Sequence, residues 1–270
     1  MAKRSVGSNS RVVLVALVLW VMTSAVRVMA HPAVESDVSA APLTVLLEPV
    51  VPYSYQDGNG KPTGYAVELM QELLQRSHLN GQLEFNSWSR IYQRAQSEPR
   101  VLVVSIVRLA EREPNFYWIG PTAARRAFLY RLKSRPDIHA NTLEAARAYR
   151  IAVIRDDATE RDLLARGFEL GKQLDRSPDH AALLRKFFAE RDQLAALNSA
   201  VAAATFARFG YDFEQAEPVV KISDSKLYMA LSRSSGPALY ARLLQAWEGM
   251  RRDGTVAAIA ARYPTVSLLD

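Results

Sequence analysis

The sequence predicts an α/β fold built on a doubly wound parallel sheet, and two observations carry that expectation. Short apolar runs at 43–47, 101–104, 150–154 and 193–197 are bounded by turn residues or charges, with stretches of helical periodicity between them. That is how strands covered on both faces by helices read. The order β-α-β-α-β is completed once before residue 105, and the same grammar restarts near residue 150, which argues for two α/β units.

Ahead of the first unit stands a leader. Lys3, Arg4 and Arg11 precede an apolar run at 12–26, and Val28-Met29-Ala30 supplies small residues at the two positions that a signal peptidase reads. The run is 15 residues long, short of the roughly 20 needed to span a bilayer. A cleaved secretory signal at 1–30 is therefore expected, ending near Ala30. The 270-residue chain has no cysteine, so neither a disulfide framework nor a lipidation cysteine at the cleavage site is available. A soluble exported product retained by an outer membrane implies a bacterial periplasm. The formal charge of +6 includes Lys3, Arg4, Arg11 and Arg27 of the leader, which has no acidic residue, so the mature chain carries +2. With no basic run, RNA-binding aromatic signature or zinc spacing, nucleic acid is not an expected partner.

Residues 31–41 are small and polar and read as a flexible tail. The run 43–47 then gives a buried strand ended by Glu48 and Pro49, and Tyr53, Ser54 and Tyr55 lead into the dense turn Asp57-Gly58-Asn59-Gly60-Lys61-Pro62. After Gly64, the positions Val67, Leu69, Met70, Leu73 and Leu74 fall at helical spacing. A strand at 82–85, a helix opening at Trp88 and the strand at 101–104 complete the first unit. In the second, a strand at 150–154 precedes helices at 158–166 and 179–190, a strand at 193–197 and an alanine-rich helix from Ser199. A connecting strand at 219–222, an apolar run at 227–231, a helix at 237–252 and a short helix closing near Tyr263 finish the chain.

Ligands of open α/β sheets sit past the carboxyl ends of such strands. The strand at 101–104 empties into Ser105, Val107, Arg108 and Arg112. A guanidinium fork suits a carboxylate or phosphate, so this loop is an anion-site candidate. The competing reading is that both arginines are solvated and paired with Glu111 and Glu113.

The ordered set of the strand LTVLL, the aromatic loop VPYSYQDGNGKPTGYAVEL, the Trp88-Ser89 helix start, the loop VRLAERE, the segment FYWIGP, the strand IAVIRDDA and the closing WEGMRRDGTVAAIAARY resembles the family 3 periplasmic solute-binding proteins. The resemblance covers nearly all of the mature chain. It implies a two-lobed periplasmic-binding-protein type II fold, each lobe a sheet flanked by helices. Lobe one would span 42–124 plus 225–270, lobe two 125–224, with two chain crossings as the hinge. It implies further that Arg112, at the place of the family's carboxylate-binding arginine, holds a ligand carboxylate, that Tyr53 walls the pocket and that Trp88 is a second wall candidate. The family's ammonium acceptors are replaced here. The first position reads Arg155-Asp156-Asp157 and the second Asn198-Ser199, so Asp156, Asp157 and Asn198 face the ligand across the cleft in this reading. Asp157 has an equally direct local explanation as the N-cap of the helix beginning at Ala158.

The function implied is that of a monomeric receptor without cofactor or metal. It would close over a small solute, an amino acid or organic acid bearing a carboxylate, and deliver it to an ABC permease in the inner membrane. A ligand sensor that does not transport is the first alternative and a periplasmic dehydratase-like enzyme the second, since folds do not fix function. His31, His78, His139 and His180 show no metal spacing, and neither a nucleophile elbow nor a phosphate loop is present, so an enzyme is not expected.

Overall fold

The computed structural model describes residues 41–267; the expected signal peptide and nearly all of the expected tail lie outside them. The elements in chain order are β1 (Leu43–Leu47), β2 (Tyr55–Gln56), β3 (Pro62–Thr63), α1 (Tyr65–Arg76), β4 (Gly81–Phe85), α2 (Trp88–Ser97), β5 (Val101–Val107), β6 (Phe116–Leu132), α3 (Leu143–Ala146), β7 (Ile151–Ile154), α4 (Ala158–Ala165), β8 (Leu174–Ser177), α5 (His180–Phe188), β9 (Leu194–Asn198), α6 (Ser199–Arg208), β10 (Ala216–Ser232), α7 (Pro237–Arg252) and α8 (Thr255–Ala260). Among the described residues no helix is long and apolar enough to cross a membrane.

Eight strands form one sheet in the order β4-β1-β5-β10-β6-β9-β7-β8. The expected parallel pairing holds at both ends, where β4, β1 and β5 run parallel and so do β9, β7 and β8. The centre departs from it. There β10 is antiparallel to β5 and to β6, and β6 is antiparallel to β9. The cause lies in two strands of 17 residues each, far longer than a common strand of about 5–6. The first half of β6 pairs with the end of β10 beside β5, and its second half, from Ala127, pairs with β9. Both strands thus pass from the β4-β1-β5 lobe to the β9-β7-β8 lobe. The β10–β6 register shifts at three places, between 218 and 220, 221 and 223, and 227 and 229, which bends and twists such a pair. The sequence runs at 219–222 and 227–231 belong to the one strand β10.

Helix α1 buries Tyr65, Val67, Leu69, Met70 and Leu73 against the first lobe. Its start is fixed by Gly64, whose φ of 116° and close backbone approach exclude a side chain: a Cβ there would lie 2.6 Å from the Tyr53 carbonyl oxygen. Tyr65 and Ala66 donate their N–H groups to the carbonyls of Pro52 and Tyr53. The aromatic loop is therefore clamped on the helix, and Tyr53 is held beneath it. In the second lobe, Asp157, Asp179 and Asn198 cap α4, α5 and α6, the side-chain oxygens satisfying amides that a helix start leaves unpaired. The lobes are packed together. One apolar cluster runs from Leu46, Trp88 and Val103 of the first lobe into Ile154, Leu183 and Phe206 of the second.

Candidate functional site

A cavity of about 90 Å³ lies between the lobes. Its floor is apolar, from Leu46, Leu47, Val103, Val104, Ile106 and Leu227. Its wall includes the first residues of α2, α4 and α5 (Trp88, Ala158 and His180) and the cap of α6, Asn198. Helix N-termini carry unpaired amides and a partial positive charge, so their convergence favours a negative group. The ionisable side chains of the lining are Glu48, Arg112, Arg125, Asp157 and His180, with the Tyr53 phenol among them.

Arg112 comes from a turn of 3-10 helix at 110–115, directly after β5. Its side chain is 1 % exposed. Nη1 donates to the carbonyl of Val107 at 3.0 Å and Nη2 to the carbonyl of Asp156, across the cleft, at 2.7 Å. The guanidinium lies 5.2 Å from the ring centre of Trp88 and 4.9 Å from that of Tyr92, within the range of cation–π attraction. Burial lowers its pKa, while Asp157 and Tyr92 act in the other direction.

The Asp156 carbonyl faces Arg112 because the residue has a positive φ of 61°, a conformation that Asp tolerates better than most side chains. The same carbonyl accepts from Trp88 Nε1 at 2.8 Å. Its amide donates to Glu160 at 2.9 Å, and its carboxylate turns away to Arg161 at 2.5 Å. Glu160, fully buried, is held in turn by Arg176. Arg161 also reaches Glu111 of the first lobe at 3.3 Å. One backbone loop, 155–157, thus accepts from Trp88, Ser89 and Arg112 of the facing lobe.

Arg125 projects from β6 and is 5 % exposed. Nη2 donates to Asp157 Oδ1 at 3.2 Å, and Nη1 is buried with no hydrogen-bond partner. Asp157 Oδ1 also accepts from the amide and hydroxyl of Thr159. Although burial raises its pKa, Arg125, Thr159 and Arg112 together pull it below the ordinary aspartate value. Glu48, at the end of β1, goes the other way: desolvation, reinforced by Asp157, lifts it to about 8. His180 Nδ1 stands 3.5 Å from Glu48, and burial lowers its pKa. The Tyr53 hydroxyl lies among Arg125 and Asn198, buried and without a hydrogen bond, its pKa pushed up to about 12 by burial. The lining thus sets two guanidinium groups, Arg112 and Arg125, against the Asp157 carboxylate and a Glu48 carboxyl whose charged form burial disfavours.

Of the residues expected from sequence, Tyr53, Trp88, Ser105, Val107, Arg112, Asp157 and Asn198 all line the cavity. Asp156 contributes its carbonyl to the interlobe contact, with its carboxylate directed to Arg161. Arg108 lies outside the lining, paired with Glu113 at 2.6 Å and set against the rings of Trp118 and Tyr228. Sequence reading passed over Glu48, Arg125 and His180. A signal existed for Arg125: along 123–129 alternate residues Ala123, Arg125, Ala127 and Leu129 are buried, so this arginine occupies the inward phase of an otherwise apolar strand face. Glu48 and His180 had none, because their approach depends on how the lobes meet.

A family model described as bacterial extracellular solute-binding proteins, family 3, matches residues 43–266. Among solved structures, a histidine kinase sensor domain with similarity to periplasmic binding proteins aligns at TM-score 0.76 and 22 % identity, over 86 % of this chain and 100 % of that one. An ancestral arginine-binding protein bound to arginine aligns at 0.71 and 17 %, over 82 % and 97 %. An arginine-, lysine-, histidine-binding protein from the thermophilic bacterium Geobacillus stearothermophilus aligns at 0.70 and 14 %, over 83 % and 95 %. At these identities the structures speak for the fold. No curated protein sequence matches the chain.

Proposed function

The chain belongs to the bacterial extracellular solute-binding proteins of family 3, and from that premise we propose that it captures a small carboxylate-bearing solute between its lobes in the periplasm and hands it to an ABC permease. The observation that carries the ligand class is the presence of two buried guanidinium groups around one cavity, Arg125 paired with Asp157 and Arg112 held only by backbone carbonyls. Such a cavity attracts an anion, and the fork of a guanidinium suits a carboxylate. Tyr53, Trp88, Ser105, Val107 and Asn198 pack the solute, an amino acid or an organic acid. Residues 1–30 are removed on export, lobe one is 42–124 plus 225–270, lobe two is 125–224, and the protein acts as a monomer.

Closure follows from contacts to both lobes, since a solute touching each shifts the equilibrium toward the closed state. The bonds from Arg112 and Trp88 to the Asp156 carbonyl define that state for a permease to recognise. A second reading, a ligand sensor, is supported by the likeness to a histidine kinase sensor domain; it uses the same cavity and a different membrane partner.

Thermal shift and calorimetry of residues 31–270 against a panel of amino acids and organic acids test the proposal. A solute present at 100 times its Kd stabilises by about 2.7 kcal/mol, which for a chain of this size raises Tm by roughly 5–10 °C. Silence across all carboxylates would refute it. Transport of the solute by a neighbouring permease in vesicles, against phosphorylation of a neighbouring kinase, separates the two readings.

A further inference from the structure

The two arginines of the cavity are not equivalent. Arg112 has both terminal nitrogens on backbone carbonyls, one in each lobe, leaving only its inner Nε buried without a partner, and its guanidinium lies close to two rings. Arg125 has one terminal nitrogen on Asp157, while the other, Nη1, is buried in the lining without a partner. The Tyr53 hydroxyl, in the field of the Arg125 charge, is likewise buried and unpartnered. Both side chains are more than nine-tenths buried. Buried donors left unmatched are costly, and a carboxylate offers two oxygens to match them.

The opposite requirement, an acceptor for an ammonium group, is poorly met. Asn198 uses Oδ1 as the cap of α6. Asp157 places Oδ1 on Arg125 and Thr159 and keeps only Oδ2 for another partner, and an ammonium there would be the third cation around one carboxylate, after Arg125 and Arg112. We propose that the cavity takes a monocarboxylate that has no ammonium group, its oxygens held by Arg125 Nη1 and the Tyr53 hydroxyl, with Arg112 serving as the strut between the closed lobes. This rests on the reading of the cavity as a carboxylate site and narrows it to one ligand class and one anchoring arginine.

The remaining acid, Glu48, supplies a measurable distinction. It faces Asp157, Arg125, Arg208 and His180 and holds its proton at neutral pH, lifted to about 8 chiefly by desolvation. An ammonium placed beside Glu48 would favour its ionisation and the release of a proton on binding; a monocarboxylate would not.

The test is calorimetry at pH 7, in two buffers of different ionisation enthalpy, with three matched pairs: L-valine and 3-methylbutanoate, L-phenylalanine and 3-phenylpropanoate, L-arginine and 5-guanidinopentanoate. The expected result is that the deaminated acid binds at least tenfold more tightly than its amino acid in every pair that binds, with no proton released. The double variant Arg125→Met/Asp157→Asn removes both partners of the buried pair together, so its fold is retained by a cooperative melt, and it binds the acid at least a hundredfold more weakly. Tighter binding of the amino acids, with or without release of a proton, would overturn the inference and leave the carboxylate reading intact. Binding by the double variant equal to the parent would overturn the assignment of Arg125. Failure of every carboxylate, in these pairs and in the wider panel, would overturn both readings.

Discussion

Arg112 Nη2 of the first lobe donates to the backbone carbonyl of Asp156 in the second at 2.7 Å. A side chain fixed by β5 thus reads the backbone, not the side chain, of the facing loop, and what it reads depends on one dihedral angle. Asp156, expected from the sequence to face the ligand, instead turns its carbonyl to Arg112 and its carboxylate to Arg161.

Removal of this strut has two consequences. Arg112→Ala takes this donor from the carbonyl of Val107 and leaves that of Asp156 with Trp88 Nε1 alone, so denaturation in urea is expected to show a destabilisation of about 1–3 kcal/mol. Ligand affinity falls at least tenfold because the closed state is weakened. Arg108→Ala, by contrast, breaks an exposed pair with Glu113 and changes stability by under about 1 kcal/mol.

The positive φ of Asp156 predicts an order among substitutions. Both Asp156→Gly and Asp156→Ala lose the ion pair with Arg161, but only glycine relieves the left-handed backbone, worth about 1–2 kcal/mol. Urea melts are expected to rank glycine above alanine by about 1 kcal/mol, and the glycine variant keeps its carbonyl directed at Arg112. Equal stabilities would contradict the backbone account.

Glu48 sets a pH dependence. Its pKa rises from an ordinary 4.5 to about 8 on folding, so the folded state binds its proton more tightly. The stabilising contribution is complete below about pH 4.5 and is lost as pH climbs through 8. Glu48→Gln mimics the protonated acid and is expected to exceed the parent in stability by about 1–3 kcal/mol at pH 8.5, with little difference at pH 4.5. Comparing parent and variant cancels the opposite slope from His180, whose lowered pKa costs stability as pH falls below its ordinary value.

Gly64 connects local geometry to the site. Gly64→Ala places a methyl 2.6 Å from the Tyr53 carbonyl oxygen at a φ of 116°, so the aromatic loop must move off α1. A destabilisation of about 2–3 kcal/mol is expected from the backbone strain alone, and ligand affinity drops with it because Tyr53 is displaced. A variant that binds like the parent would show that Tyr53 does not hold the ligand.

Much of this was legible in the sequence because it is local. Apolar runs marked β1, β5, β7 and β9, and the periodicity of Val67, Leu69, Met70, Leu73 and Leu74 marked α1. The strand β8, Leu-Asp-Arg-Ser, was missed because a short edge strand with charged residues has no apolar pattern. The span of β6 and β10 was missed because Pro218, the polar residues 223–226 and the register shifts break a run that continuous pairing restores. At the site, the exit of β5 and the family resemblance together named seven residues of the lining. Asp157 serves as the cap that local reasoning allowed and also pairs with Arg125, a contact 32 residues away in sequence that no local pattern contains.

The long pairing of β6 with β10 has a mechanical consequence. Arg125 sits opposite Ser225, where both strands pass between the lobes, whereas Arg112 and Trp88 belong to the first lobe alone and meet the second only at the Asp156 carbonyl. A lever moves least at its fulcrum. An anion seated on Arg125 therefore meets nearly the same partner whether the jaws are apart or together, so recruitment of the charge and travel of the jaws become separable events. Substitution of Arg125 is therefore expected to slow the arrival of the solute, and substitution of Arg112 or Trp88 to shorten its stay, two effects that stopped-flow binding kinetics separate.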